Sequence, residues 1–277
     1  MKPLLFKVAM STLAFLLLAS LKPSALAADS SAPKKPVLLY SRYFNAAGES
    51  RYLPDGNYRQ ILDHLRTEFD VRVHSQPLNA DTLADVNVVL VANPSDKAAG
   101  TNPPPPHVSP ADIAALTHFV QAGGGFIVMG NQENHNLETR DMNQLLLRFG
   151  LQFTNLYTDA KRLVLPRETP LIGGLRWAYY TGDLVLITPS HPAKPRPLIL
   201  NDLAQKPLGG PRDTPGALLA IADPGRGHVA VVTDAGWLSN DALSGKGIGN
   251  VAITEHDNWE IFRRLARWAA GERPIAE

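Results

Sequence analysis

Apolar residues along this chain follow two patterns. One is the short unbroken run, seen in "VLLYSRYF" (37–44), "VNVVLVAN" (86–93) and "FIVMG" (126–130). A strand covered on both faces reads this way, because neither of its sides meets water. The segment "VRVHS" (71–75) reads as a further strand. The other pattern is helical. In "NYRQILDHLRTEF" (57–69), Tyr58, Ile61, Leu62, Leu65 and Phe69 share one face. In "SPADIAALTHFVQAGGG" (109–125), Ser109 is placed to cap, Pro110 suits the first helical position and Asp112 completes a capping-box-like start. Gly123, Gly124 and Gly125 stop that helix. A further helix is predicted over about 138–148. Strands and helices that alternate in this way predict an α/β sheet with right-handed crossovers.

The pattern changes over 151–215, a stretch rich in Pro and Gly with short strand-like pieces "RLVL", "LVLI" and "PLIL". It reads as a β-rich excursion from the sheet. Alternation then resumes. "GALLAIAD" and "GRGHVAVVTDAGW" read as a hairpin turned at Asp223–Gly227. "DNWEIFRRLARWAAG" reads as a closing helix, with Trp259, Phe262, Leu265, Ala266 and Trp268 available for packing. The expectation is one α/β domain over 37–271, with no internal repeat.

Composition narrows the setting. With 27 Lys and Arg against 26 Asp and Glu, the net charge of +1 gives no electrostatic case for nucleic acid or for an anionic membrane. Lys2 and Lys7 precede an apolar run over 8–21, and "SALAA" follows. This has the form of a signal peptide cleaved after Ala27, leaving 28–36 as a flexible lead-in and no stable membrane anchor. An uncleaved anchor is the alternative, but the run is shorter than the ~20 residues that span a bilayer. The chain has no Cys, which excludes a lipidated lipoprotein and any disulfide. A periplasmic or secreted protein is expected.

Three features then occur together: "FVQAGGGFIVMG", the late strand "GRGHVAVVTDAGW", and a last helix ending "RWAAG". Over 37–271 the chain resembles the ThuA-like group of the class I glutamine amidotransferase-like superfamily, with DUF4350-type and gliding-motility-related domains of the same fold. The resemblance implies a flavodoxin-like three-layer sandwich and sugar-related biology. It also implies a nucleophilic Cys after the strand that "FIVMG" matches. Here that turn reads Gly130-Asn131-Gln132, and without any Cys glutamine hydrolysis through a thioester is excluded. No G-x-S-x-G elbow replaces it. ThuA-like proteins often carry a His at this turn, and His135 lies a few residues later.

In a sheet of this type ligands sit beyond the carboxyl ends of the strands. Those ends are polar here. The first strand delivers Arg42, Tyr43 and Asn45, and the third delivers Asn93 and Ser95. The "FIVMG" strand delivers Asn131, Gln132, Glu133, Asn134, His135 and Asn136. The late strand delivers Asp234 and Trp237, and the loop before the last helix delivers Glu255, His256, Asp257 and Asn258. One reading is local: Asn136 and Asp257 cap helices, and Asn and Asp satisfy turns. The other is a carbohydrate site. In it Glu133, His135 and Asp234 are the catalytic candidates, and Arg42, Asn45, Asn131, Gln132, Asn134, Trp237, His256 and Asp257 bind the ligand. Trp237, and Trp177 with Tyr180 from "RWAYY", could stack on a sugar ring or pack in the core.

Two chemistries fit these residues. Glu133 with Asp234 or Asp257 could form a carboxylate pair for glycosidic cleavage. A lyase would instead use an acid, a base and a cation for the uronate, for which Arg42, Arg140 and Lys161 are available. A non-catalytic binding or assembly module is the other class of function. No cofactor or metal is expected. Glu133, His135, Glu138, Asp234 and His256 carry suitable donors, but no H-E-x-x-H or similar spacing occurs. The glycines of "AGGGF" precede a strand, so they form no dinucleotide loop.

Overall fold

The computed structural model describes residues 34–45, 52–98, 102–131, 135–156, 158, 161–179, 182–201, 216–246 and 255–272, and from Lys35 onward the chain forms one compact unit. The first half contains β1 (Val37–Ser41), α1 (Arg59–Glu68), β2 (Asp70–His74), α2 (Ala80–Leu83), β3 (Val88–Ala92), α3 (Pro110–Gln121), β4 (Gly125–Gly130) and α4 (Arg140–Leu146). The short strands β5 (Leu151–Phe153), β6 (Lys161–Val164), β7 (Arg176–Tyr179), β8 (Val185–Ile187) and β9 (Arg196–Leu200) follow. The chain closes with β10 (Ala217–Ala222), β11 (His228–Thr233), α5 (Asn240–Leu243) and α6 (Asn258–Ala269).

The main sheet runs β2-β1-β3-β4-β11-β10-β8-β5, with β9 also paired to β10. From β2 to β11 every pairing is parallel, and from β11 outward every pairing is antiparallel. The fold is therefore α/β with a mainly parallel, flavodoxin-like sheet. Its strand order reverses between β1 and β3, and such a reversal opens a crevice at the strand ends.

The unbroken apolar runs now have their reason. Leu38, Tyr40, Val88, Leu90, Ile127 and Met129 pack with α1 and α6 in one core. Val37, Leu39, Val89, Val91, Phe126 and Val128 pack with α3 and α4 in the other. Successive residues of a strand point to opposite faces, so two covered faces require apolar residues at every position. α6 approaches so closely that a Cβ on Gly125 would stand 2.3 Å from the Ala269 carbonyl oxygen. A glycine at the first position of β4 is what lets the closing helix seat there.

The structure alters several expectations. α2 was not visible as a periodic pattern, because its four residues carry one buried side chain, Leu83; its Asn79–Thr82 capping box holds it. The excursion does not stand apart: β5, β8 and β9 extend the main sheet, and only β6 and β7 form a separate hairpin. Trp177 of "RWAYY" is buried in the α1/α6 core and packs there instead of stacking on a sugar, and Tyr180 lies outside the described residues. Asn136 does not cap α4. It holds a left-handed turn at φ 59°, and the Glu138 carboxylate receives the amides of Asp141 at 2.8 Å and Met142 at 3.0 Å. The Ser109–Pro110–Asp112 start of α3 forms as read, with reciprocal side-chain bonds. The β10–β11 hairpin forms as read as well. Residues 1–33, which include the signal-peptide reading, lie outside the described residues. Among the described residues no helix is long and apolar enough to cross a membrane.

Candidate functional site

Parallel pairing brings the ends of β1, β3, β4 and β11 to one edge of the sheet. Each strand leaves it through a polar residue. Asn93 after β3 and Asp234 after β11 take left-handed conformations, at φ 46° and 67°. Asn and Asp tolerate that region better than other residues with a Cβ. Both amides are held across the edge: Asn93 N donates to Met129 O, and Asp234 N donates to Gly130 O, each at 2.6 Å.

Asn131 ties the strand ends together. It is buried, and its amide N–H donates to Asn93 Oδ1 at 2.9 Å. Its Oδ1 accepts the Ala235 amide at 3.2 Å, and its Nδ2 bonds the Tyr52 hydroxyl. Nδ2 also meets His135 Nδ1 at 3.2 Å. An amide N–H directed at Nδ1 makes that nitrogen the acceptor and leaves the imidazole proton on Nε2, the tautomer this network selects. Asn93 Nδ2 holds the same loop from the other side, donating to the His135 carbonyl at 3.1 Å. Asn45 completes the edge by donating from Nδ2 to the carbonyls of Ala92 and, at 3.2 Å, Asn93. Its buried Oδ1 and the buried Ser41 Oγ have no hydrogen-bond partner. Nearby, Tyr58 is fully buried and donates to the Ala235 carbonyl; burial pushes its phenol well up, so it stays neutral.

Of the residues expected at the site, Arg42, Asn45, Asn131, His135 and Asp234 follow or lie close to this edge. Gln132, Glu133 and Asn134 lie outside the described residues. Asp234 is almost fully buried, and its Oδ1 accepts the Gly236 amide at 2.5 Å. It therefore shapes the turn out of β11. Trp237 is fully buried, packed edge-on against Trp177 with centroids 5.5 Å apart and against Phe262 at 6.0 Å. No face of its ring is left for a sugar, so its placement is that of a core residue.

Asp257 and His256 are also committed elsewhere. Asp257 occupies the N-cap position of α6 but makes no side-chain cap bond. Its carboxylate takes the Arg176 amide at 2.8 Å and guanidinium Nε at 3.2 Å, which pin β7 to the start of α6. The Arg176 guanidinium holds the Asp257 carboxyl below the usual carboxylate range. His256 meets the Ala242 carbonyl through Nε2 at 2.8 Å and the Asn258 amide through Nδ1 at 3.3 Å. Neither residue joins Asn131 and His135. Of the lyase-type cations, Arg140 is paired with Asp141 at 2.9 Å.

Two contributors had no sequence signal. Tyr52 reaches Asn131 across 79 positions. His107, in the proline-rich loop, meets Asp141 at 3.0 Å and Asp96 at 3.0 Å. Pairings of this kind are made by the topology of β1, β3 and β4 and leave no local spacing to read.

No protein-family model matches this chain, and no curated protein does. Solved structures do. The "mmIFT52 N-terminal domain" aligns over 87% of this chain and 100% of its own, at 15% identity and a TM-score of 0.59. Cytoplasmic Protein STM3548 from Salmonella typhimurium aligns over 84% and 98%, at 10% identity and a TM-score of 0.52. A ThuA-like protein from Parabacteroides merdae aligns over 88% and 92%, at 14% identity and a TM-score of 0.49. At such identities likeness speaks for the fold alone, and the first two alignments place this chain among doubly wound α/β sandwiches of this kind.

Proposed function

We propose that this chain is an exported carbohydrate-binding protein whose ligand sits at the carboxyl edge of β1, β3 and β4. The observation that carries this reading is the Asn45–Asn93–Asn131–His135 network at the point where the strand order reverses. These buried, mutually bonded amides hold the His135 imidazole beside the strand end that carries Arg42, at the place where this sheet type takes its ligands. Arg42 and His135, both half-buried, would contact the ligand, and Gln132, Glu133 and Asn134, outside the described residues, are the further contacts the sequence offers. The resemblance to ThuA-like proteins supports a sugar as the ligand class. Export rests on the N-terminal pattern, with cleavage after Ala27.

Acid/base turnover is the second reading, and one observation favours it. Asn131 holds the His135 ring at this edge, and His135 would act as general acid from its imidazolium form. Glu133 would be the partnering base. A hydrolase or a lyase acting on an oligosaccharide from polysaccharide breakdown would use that pair without Asp234, whose carboxylate serves its own turn.

A thermal-shift screen of the secreted protein against neutral and uronic-acid oligosaccharides tests the binding reading. A rise in melting temperature that is lost in Arg42→Ala and His135→Ala is expected. No shift with either class of sugar would sink it. With a hit in hand, Glu133→Gln separates the two readings: lost turnover with retained affinity marks an enzyme, and an effect on affinity alone marks a binding module. Mass spectrometry of the periplasmic or medium fraction should find Ala28 as the first residue, and an intact Met1 there would overturn export by cleavage.

A further inference from the structure

A second group of side chains, outside the polar edge, converges on one point. His107 comes from the loop before α3, and Glu138 and Asp141 come from the start of α4. One donor atom from each lies within 4.8 Å of the other two. His107 Nδ1 is 3.0 Å from Asp141 Oδ2 and 3.9 Å from Glu138 Oε1. Separations of this order suit three ligands sharing a cation bound at about 2.0–2.2 Å from each. Glu138 is 3% exposed, Asp141 18% and His107 27%, so the cluster is half-enclosed.

The surroundings fix the donors in place. The other ring nitrogen of His107, Nε2, meets Asp96 Oδ1 at 3.0 Å. Carboxylates flank both ring nitrogens and can only accept, so a metal would take the Nδ1 position that a proton shared with Asp141 otherwise holds, while Nε2–H stays with Asp96. A carboxylate behind a ligating imidazole is the usual arrangement around metal-binding histidines. Glu138 is held by the amides of Asp141 and Met142, and Asp141 Oδ1 accepts Gln144 Nε2 at 2.9 Å.

One positive group already touches this point. Arg140 Nη2 lies 2.9 Å from Asp141 Oδ2 and 3.3 Å from His107 Nδ1. The guanidinium thus bridges two of the three donors, as a cation would. Its side chain is 77% exposed, so it can swing into solvent without disturbing the core.

We propose that His107 Nδ1, Asp141 Oδ2 and Glu138 Oε1 bind a divalent transition-metal cation of the Zn2+ or Mn2+ class, which displaces the Arg140 guanidinium. One imidazole nitrogen and two carboxylate oxygens favour those ions over Ca2+, which prefers an all-oxygen shell. With Asp96 included, three carboxylates surround the imidazole, and a doubly charged ion offsets more of that charge than the single guanidinium it displaces. The site does not depend on the carbohydrate reading.

Calorimetric titration of ZnCl2 into the chelator-treated, untagged protein tests it. One zinc per chain is expected, with Mn2+ competing for the same site. His107→Ala should weaken that binding at least 100-fold, and Asp96→Asn, at an exposed position behind the imidazole, about 10-fold. Arg140→Gln should tighten it several-fold, because the competing cation is gone; a chance zinc ion on a surface histidine would show no such gain. Circular dichroism of each variant checks the fold, and Asp96→Asn keeps the test open if His107→Ala fails to fold. No zinc uptake by either the wild type or Arg140→Gln overturns the site, and so does uptake that His107→Ala and Asp96→Asn both leave unchanged.

Discussion

At the scale of single residues, the polar edge divides into side chains that build it and side chains left to meet a ligand. Asn131 builds it: Asn93, Tyr52, His135 and Ala235 all bond to it. Asn131→Ala keeps the backbone bond to Asn93 but strips partners from the Ala235 amide and from His135. Unsatisfied buried groups cost about 1–3 kcal/mol each, so a loss of roughly 2–3 kcal/mol is expected in urea denaturation. Trp237 belongs to the α1/α6 core. Trp237→Ala should cost about 3–5 kcal/mol, as large-to-small changes in packed cores do. Any fall in ligand affinity in that variant should track the fraction unfolded. Affinity lost by fully folded Trp237→Ala protein would contradict the buried placement.

At the scale of elements, α6 carries two consequences. It packs on β4 through Gly125, where an added Cβ would collide with the Ala269 carbonyl. Gly125→Ala should destabilise by about 1–3 kcal/mol, the usual cost of overpacking, with the backbone contact placing it toward the upper end; unchanged stability in a denaturant melt would contradict the close seating. The exposed side of α6 holds an ion network. Glu260 receives Arg263 at 2.7 Å and Arg264 at 2.7 Å, and these guanidinium partners pull its carboxyl down from 4.5 to about 2. A carboxyl depressed in the folded state contributes stability above its unfolded value. That contribution is lost as pH falls from about 4.5 through about 2. The network is partly solvated, so about 1 kcal/mol is at stake rather than the full value of the shift. Melting temperature measured between pH 6 and pH 3 should fall less steeply in Glu260→Gln than in the wild type.

At the scale of the whole molecule, the sheet has a double-covered parallel centre and an antiparallel flank. β1, β3, β4 and β11 are almost wholly buried, whereas β8 exposes Leu186 and the edge strand β2 exposes Val73. Opening free energy follows burial, so hydrogen exchange should be slowest in β1, β3, β4 and β11 and faster in β2, β5 and β8. Equal protection across the sheet would contradict this order. With no Cys, reductant should leave the unfolding transition where it is.

Part of this was legible in the chain alone. Unbroken runs such as "VNVVLVAN" announced strands covered on both faces. The Ser109–Pro110–Asp112 start and the Asp223–Gly227 turn are local devices whose partners lie within a few residues, so they can be read directly. The polar character of the strand ends was visible for the same reason. What those polar residues do was not. Asp257 meets Arg176 across 81 positions, His107 meets Asp141 across 34, and Tyr52 meets Asn131 across 79.

Sequence by itself therefore determined the class of fold, the absence of a thiol nucleophile and the edge at which polar groups gather, because each follows from composition or from short-range pattern. Only the tertiary structure decided that Trp237 packs inward, that Asp234 and Asp257 brace the chain, and that Asn131 is joined to His135 while His107 is joined to Glu138 and Asp141. Those outcomes depend on which distant segments the parallel strands bring side by side, and a hydrogen bond or an ion pair responds to that distance and not to position in the chain.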